Sequence, residues 1–226
     1  MIVTIDGPAG SGKSTAACGL AERLHFHFLD TGAMYRVVGW TCLQQEIELD
    51  NHKQVAEAAR HVVITFSGKQ VFANGQDVTE FIRQEDVSRV SSVVAMNPDV
   101  RNELEKQQRH LAIGLDIVTE GRDQGTVVFP NADCKFFLTA DPHERAVRRQ
   151  AELQTKGTNV AIEEIVQQIH DRDERDANRK ISPLRRADDA VLVETSRMTP
   201  EEVLTMLESV VDAKRTKESR GISDRA

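Results

Sequence analysis

No stretch of the 226 residues approaches the roughly 20 consecutive apolar residues of a membrane helix, so no helical span is expected. No basic segment followed by an apolar core stands at the start, where the chain enters a β-like run at once; no secretory leader is expected. Cysteine is scarce. Cys18, Cys42 and Cys134 lie far apart and match no zinc or redox spacing, which leaves small thiols in a reducing, cytoplasmic setting. Positive charge is in deficit: the formal net charge is −7, so an extended nucleic-acid surface is not expected. Any anion site has to be a local basic cluster. There is no Asn-Lys-x-Asp stretch of the kind that reads guanine, which argues against a GTPase switch. What remains is ordinary, 39% hydrophobic and 29% charged, and fits one sizeable globular domain.

Against this background one stretch stands out. Gly7-Pro8-Ala9-Gly10-Ser11-Gly12-Lys13-Ser14-Thr15 fits the phosphate-loop pattern G-x-x-x-x-G-K-[ST]. Residues 1–5 read as a strand and residues 14–24 as an amphipathic helix, the context such a loop requires. The glycines let backbone N–H groups turn toward a polyphosphate, and the helix N-terminus adds partial positive charge. Lys13 is placed to reach the β- and γ-phosphates of ATP, and the Ser14 hydroxyl to ligate Mg²⁺.

Further along, residues 26–30 read as a second strand ending at Asp30, with Thr31 as N-cap of a helix to about Gln45. His25 and His27 are read as polar residues at a strand entrance, since no third metal ligand accompanies them. Residues 50–60 read as a helix. Short β-like runs at 62–66, 70–73 and 77–78 follow, separated by Ser67-Gly68-Lys69 and Asn74-Gly75, and Asn-Gly is a strong hairpin signal. Residues 80–112 look helical in two pieces, broken at Asn97-Pro98. Strands are predicted at 117–119, 134–139 and 190–193. Helices are predicted from Pro142 to about Thr155, from Ala161 to about Arg179 and from Pro200, with a break at 156–159 and a frayed tail from Asp212. Alternating strands and helices imply an α/β fold, a five-stranded, mainly parallel sheet flanked by helices. Ligands bind such sheets beyond the C-terminal strand ends, which gathers the phosphate loop, Asp30-Thr31 and Glu120-Gly121-Arg122-Asp123.

Arg172, Arg175 and Arg179 recur at i, i+3 and i+7 and share a helix face. Such a face is either a solvated, salt-bridged surface or a lid of arginines over a transferring phosphoryl group. Arg36, Arg101 and Arg122 complete the candidate cationic set with Lys13.

Residues 7–15, Asp30-Thr31-Gly32-Ala33-Met34-Tyr35-Arg36, the turn from Glu120-Gly121-Arg122-Asp123 to Val128-Phe129-Pro130, and Arg172, Asp173, Arg175, Asp176, Asn178 and Arg179 resemble the bacterial cytidylate kinases in order and spacing. The resemblance covers about residues 2–211. It implies a P-loop kinase fold within 1–211, with a core at about 1–45, 112–155 and 187–211. A small α+β insert at about 46–111 would bind the nucleoside monophosphate and swing over it. A helical lid would occupy about 156–186, and 212–226 would be a flexible tail. It implies phosphoryl transfer from ATP, with Mg²⁺, to CMP or dCMP. By position, Thr31, Arg36, Ser92, Arg101, Arg122, Asp123, Arg172 and Arg179 bind substrate. Lys13, Arg122, Arg172 and Arg179 act in transfer, and residues 7–15 bind ATP. In the family the counterparts of Ser92, Arg101 and Asp123 face cytosine, and those of Arg36, Arg122, Arg172 and Arg179 face phosphate or sugar. A carboxylate such as Asp123 can accept from the cytosine amino group and meets the C4 carbonyl of uracil acceptor to acceptor. Asp6, Asp30 and Glu120 all remain open as holders of Mg²⁺ waters. The resemblance also implies a cytoplasmic monomer. Gln124 departs from the family pattern, where an aliphatic residue is usual, and is expected to alter the packing of its turn. Lys180-Ile181-Ser182 replaces a smaller, less polar run.

Overall fold

A computed structural model describes residues 1–155 and 157–223. Lys156, in the expected break, and residues 224–226 of the expected tail lie outside the described residues. The chain divides into two units: Met1–Leu29 with Gly114–Ala226, and Asp30–Ile113.

In the first unit, β1 (Ile2–Asp6) leads through the glycine loop into α1 (Lys13–Leu24), and β2 (His27–Asp30) follows. In the second unit, α2 (Thr31–Gln44) and α3 (His52–His61) precede an antiparallel sheet of β3 (Ile64–Ser67), β4 (Gln70–Ala73) and β5 (Gln76–Asp77). A single 3₁₀ turn (Phe81–Arg83), α4 (Glu85–Val94) and α5 (Pro98–Leu111) complete it. The first unit resumes with β6 (Ile117–Gly121), a π-helical turn (Gln124–Val128), β7 (Cys134–Thr139), α6 (Pro142–Thr155), α7 (Ile162–Ala177), β8 (Val191–Glu194) and α8 (Pro200–Ser223).

The five-stranded sheet has the order β2-β6-β1-β7-β8, with β1 at its centre. β1 runs parallel to β6 and β7, and β7 parallel to β8. Its residues Val3 and Ile5 are fully buried, as a central parallel strand covered on both faces requires. They pack with Leu20 of α1, Phe136 and Leu138 of β7 and Leu207 of α8. The register pairs Asp6 with Gly121 and with Phe137. The exits of β1 and β6 therefore lie side by side, where the strand order reverses and ligands bind such sheets.

Local signals explain most element ends. Asn97 caps α5, accepting from the N–H groups of Asp99 and Val100, with Pro98 in the first turn. Thr199 and Glu202 form a reciprocal capping box at α8. Asn74 and Gly75 both have positive φ, 50° and 81°, as the two-residue hairpin turn demands. Three expectations shift. The cap of α2 is Asp30, whose carboxylate accepts from Ala33 N–H at 2.8 Å, and Thr31 is the first helical residue. The third hairpin strand is Gln76–Asp77 rather than 77–78. The last helix does not end near 211 but continues to Ser223. Beyond 211 it still finds partners: the Arg215 guanidinium lies over the Phe26 ring, 4.7 Å from its centre.

Candidate functional site

The loop between β1 and α1 is shaped by space. A Cβ on Gly7 would stand 2.1 Å from the backbone oxygen of Leu138, so only glycine lets the chain pass β7 here. Gly12 turns left-handed, φ 83°, to start α1. Pro8, Ala9 and Ser11 are buried, Gly10 is half-buried, and Ser14 and Thr15 are exposed on the first turn of α1. Ala9 is gripped at both ends. Its N–H donates to Asp173 Oδ1 at 3.1 Å, and its oxygen accepts from Arg145 Nη1 at 2.9 Å. Arg145 and Asp173 are themselves an ion pair. The Ser11 hydroxyl is buried with no hydrogen-bond partner among the described residues, a polar atom that a ligand oxygen would satisfy.

Lys13 is buried at the loop's end. Its Nζ donates to Pro8 O at 3.0 Å and lies 4.0 Å from Glu120 Oε2. Burial, followed by repulsion from Arg122, pushes its pKa down from 10.5 to about 7. The Ser14 hydroxyl donates to Glu120 Oε1 at 3.0 Å. Lys13, Ser14 and Glu120 thus form one group at the adjacent ends of β1 and β6.

Arg122 follows Glu120 by two residues and is directed by the chain turn. Its Nε donates to Asp176 Oδ2 at 2.7 Å. Arg179 donates to the other oxygen of the same carboxylate. Burial works against a charge on Asp176, but Arg122, Arg179 and Arg172 outweigh it and hold its pKa below the ordinary value. Of the arginine face read from the sequence, Arg172 and Arg179 are half-buried near Asp176. Arg175 is exposed and turns back onto the Asp171 oxygen of its own helix. Asp123 is buried in the next turn. Gln124 is buried too and explains its departure from an aliphatic residue: its Oε1 accepts from Thr119 Oγ1 at 3.0 Å.

In the second unit, Thr31 is buried at the start of α2. Arg36, one turn on, lies 3.5 Å from Asp30, and its buried Nε has no hydrogen-bond partner among the described residues. Arg101 of α5 is buried, donates to Ala95 O at 3.4 Å and sits 5.4 Å from the Tyr35 ring centre. Ser92 on α4 is half-buried, with its hydroxyl on Ser88 O at 3.3 Å.

Asp173 and Asp176 stand in the arginine motif without a role of their own, and Asp6 is read from sequence only as one possible holder of Mg²⁺ waters. Asp176 stands four residues, one helical turn, after Arg172, and Arg179 follows just beyond the helix end at Ala177. Asp173 and Asp6 bond to backbone N–H groups 164 and at least 118 residues away, which no local pattern signals. Among the described residues, no group of three or more His, Cys, Asp or Glu side chains could hold a metal by itself.

The family model described as cytidylate kinase matches residues 3–213. A cytidylate kinase of Caldanaerobacter subterraneus subsp. tengcongensis is 48% identical over 202 residues, which cover 89% of this chain and 90% of that one. A cytidylate kinase of Rhodopirellula baltica is 47% identical over 203 residues, covering 90% and 89%. A solved structure of an uncharacterized protein from Eubacterium ventriosum has a TM-score of 0.54 at 12% identity, covering 94% of this chain and 98% of that one; this likeness concerns the fold alone. With a matching phosphate loop on a central parallel strand and relatives aligned over nearly the whole chain, the protein belongs to the cytidylate kinase family.

Proposed function

We propose that the protein transfers the γ-phosphoryl group of ATP to the 5′-phosphate of CMP or dCMP, giving ADP and CDP or dCDP. The observation that carries this reading is the cationic centre at the exits of β1 and β6. Lys13 is buried there and Arg122 half-buried, Lys13 facing Glu120 and Arg122 paired with Asp176. Desolvating a cation is costly, and a polyphosphate held against Lys13 and the arginines offsets that cost.

The attacking atom is already an anionic phosphate oxygen, so no strong general base is needed. Catalysis rests on positioning and charge neutralisation. Lys13 is assigned to the β- and γ-phosphates. Arg122, Arg172 and Arg179 are assigned to the migrating and acceptor phosphates. Residues 7–15 are assigned to ATP. In the second unit, Thr31 and Arg36 are assigned to the acceptor, and the buried unpartnered Nε of Arg36 supports an anion there. Ser92, Arg101 and Asp123 are assigned to cytosine, with Asp123 accepting from the amino group.

Mg²⁺ bound with ATP would supply charge neutralisation for the phosphates. The donor set fits such an ion: Ser14 would ligate it, and Glu120, in contact with the Ser14 hydroxyl, is the carboxylate to hold its waters. The alternatives are otherwise engaged, Asp6 with two backbone N–H groups and Asp30 with the α2 cap and Arg36. Residues 46–111 are assigned as the monophosphate-binding insert, 156–186 as the lid and 212–226 as a tail beyond the kinase domain. Among the described residues no helix is long and apolar enough to cross a membrane. A cytoplasmic monomer that acts on nucleotides, without nucleic acid or membrane partners, is assigned from membership of the family.

The test is ADP formation from ATP and Mg²⁺ with CMP, dCMP, UMP and AMP offered separately. Rapid turnover with CMP and dCMP, and little with UMP or AMP, is expected. Turnover with another acceptor alone would keep the phosphate site and remove the cytosine assignment. ATP binding with no working acceptor would replace the kinase reading with a binding module.

A further inference from the structure

Asp6 is the last residue of β1, directly before Gly7 of the phosphate loop. Neither phosphate nor metal chemistry uses it in the reading above. Its Oδ1 accepts from Gln124 N–H at 2.9 Å and its Oδ2 from Gly125 N–H at 2.8 Å. The side chain is buried, 4% exposed.

These two N–H groups open the π-helical turn of residues 124–128. The first donors of a helical turn have no partner within it and need one from outside. Asp6 supplies it from another strand. At the other end, the backbone oxygen of Asp123 accepts from Val127 and Val128. The turn also has no slack against β1: a Cβ on Gly125 would stand 2.9 Å from Thr4 Oγ1. The backbone that carries Arg122 and Asp123 is therefore fixed by β1 through one carboxylate.

A neutral side chain with one acceptor would tie the turn at less desolvation cost, since a buried carboxylate is expensive. Burial pushes the Asp6 pKa up to about 7, against the two N–H bonds. The charged groups that act on it are Asp123 and Arg122 of the turn, and Lys135 of β7 lies against Gly125. Two acceptors at one fixed spacing are what a carboxylate offers and an amide does not.

We infer that Asp6 is a positioning residue for the acceptor base: by holding Gln124 and Gly125 it sets where Asp123 presents its carboxylate. The inference rests on the cytosine assignment of Asp123 under the proposed function.

The experiment compares wild type and Asp6→Asn in steady-state turnover, varying CMP, UMP and ATP in turn. Asparagine keeps one acceptor and turns an N–H donor toward the second backbone N–H. The KM for CMP should rise about 10-fold and the preference for CMP over UMP should fall by a similar factor, as for a displaced contact group. The KM for ATP should stay within about twofold, because the phosphate loop keeps its own supports. Equal changes in both KM values, a change in kcat alone, or lost thermal stability with unchanged kinetics would overturn the inference. Should Asp6→Asn not fold, amide exchange of the wild-type chain decides: slow exchange at Gln124 and Gly125 supports the clamp, and exchange at the rate of exposed loop amides refutes it. If the wild type does not use CMP at all, the proposed function fails and takes this inference with it. If the wild type uses CMP and Asp6→Asn is indistinguishable from it, the inference alone fails.

Discussion

Replacing Lys13 by methionine should abolish turnover and make the nucleotide-free protein more stable. The ammonium side chain is 7% exposed and its pKa is pushed from 10.5 to about 7. Burial is the main cause, and repulsion from Arg122 adds to it. The sign follows from proton counting. Between about pH 7 and 10.5 the unfolded chain holds a proton that the folded chain has lost, so the stability of the wild type rises with pH across that window. At pH 8 the lysine costs the fold about 3 kcal/mol relative to an unperturbed lysine, at 1.36 kcal/mol per pH unit. Methionine removes that cost and gives up the bond from Nζ to Pro8 O, worth about 1 kcal/mol. The net gain is about 2 kcal/mol, or roughly 4–8 °C in Tm for a chain of this size. Urea unfolding of both proteins without nucleotide, at pH 7, 8, 9 and 10, measures it. The variant's advantage should be greatest at pH 7 and shrink by about 1.4 kcal/mol per unit as pH rises. A variant that is less stable at pH 7, or an advantage indifferent to pH, refutes the reasoning. A bound polyphosphate should restore the ammonium, so ATP binding near pH 8 should take up a proton, visible as buffer-dependent binding heat.

The remaining predictions concern neighbouring groups. Gly7→Ala should lower kcat/KM by about 100-fold, because its Cβ would collide with the Leu138 backbone and displace the loop by a fraction of an ångström or more; unchanged kinetics would deny the close approach. Ser14→Ala should raise the Mg²⁺ concentration for half-maximal rate about 10-fold, read from metal titrations at fixed ATP. Asp176→Asn leaves half-buried Arg122 without its paired charge and should cost about 3 kcal/mol of stability, partly recovered in sulfate or phosphate buffer, as thermal melts would show.

The phosphate loop was legible because all its determinants are local: glycines, lysine and hydroxyl in a fixed order between a strand and a helix. The hairpin at Asn74-Gly75 and the caps at Asn97 and Thr199 were legible for the same reason. Asp30 and Thr31 compete for one capping role, and the longer reach of a carboxylate to Ala33 N–H decides it, a matter of geometry that composition does not show. The five-residue π-helical turn after β6 has no local signal, since its donors are satisfied by Asp6 from β1. The grip of Asp173 on Ala9 is invisible for the same reason. The continuation of α8 past 211 was obscured by its polar composition. A helix on a surface can run on charged residues where one contact, here Arg215 on Phe26, keeps it in register.

Under the proposed function, the carboxylate of Asp176, shared between Arg122 and Arg179, would set the character of anion uptake. These guanidinia do not wait bare for a ligand. On that assignment an arriving phosphate would exchange with an internal anion that already occupies them. Binding then resembles the working of an ion-exchange bead: selectivity comes from how much better a tetrahedral, multiply charged oxyanion fits than the resident carboxylate. Chloride and other monovalent ions would be poor eluents of that resident, and a nucleotide phosphate a good one.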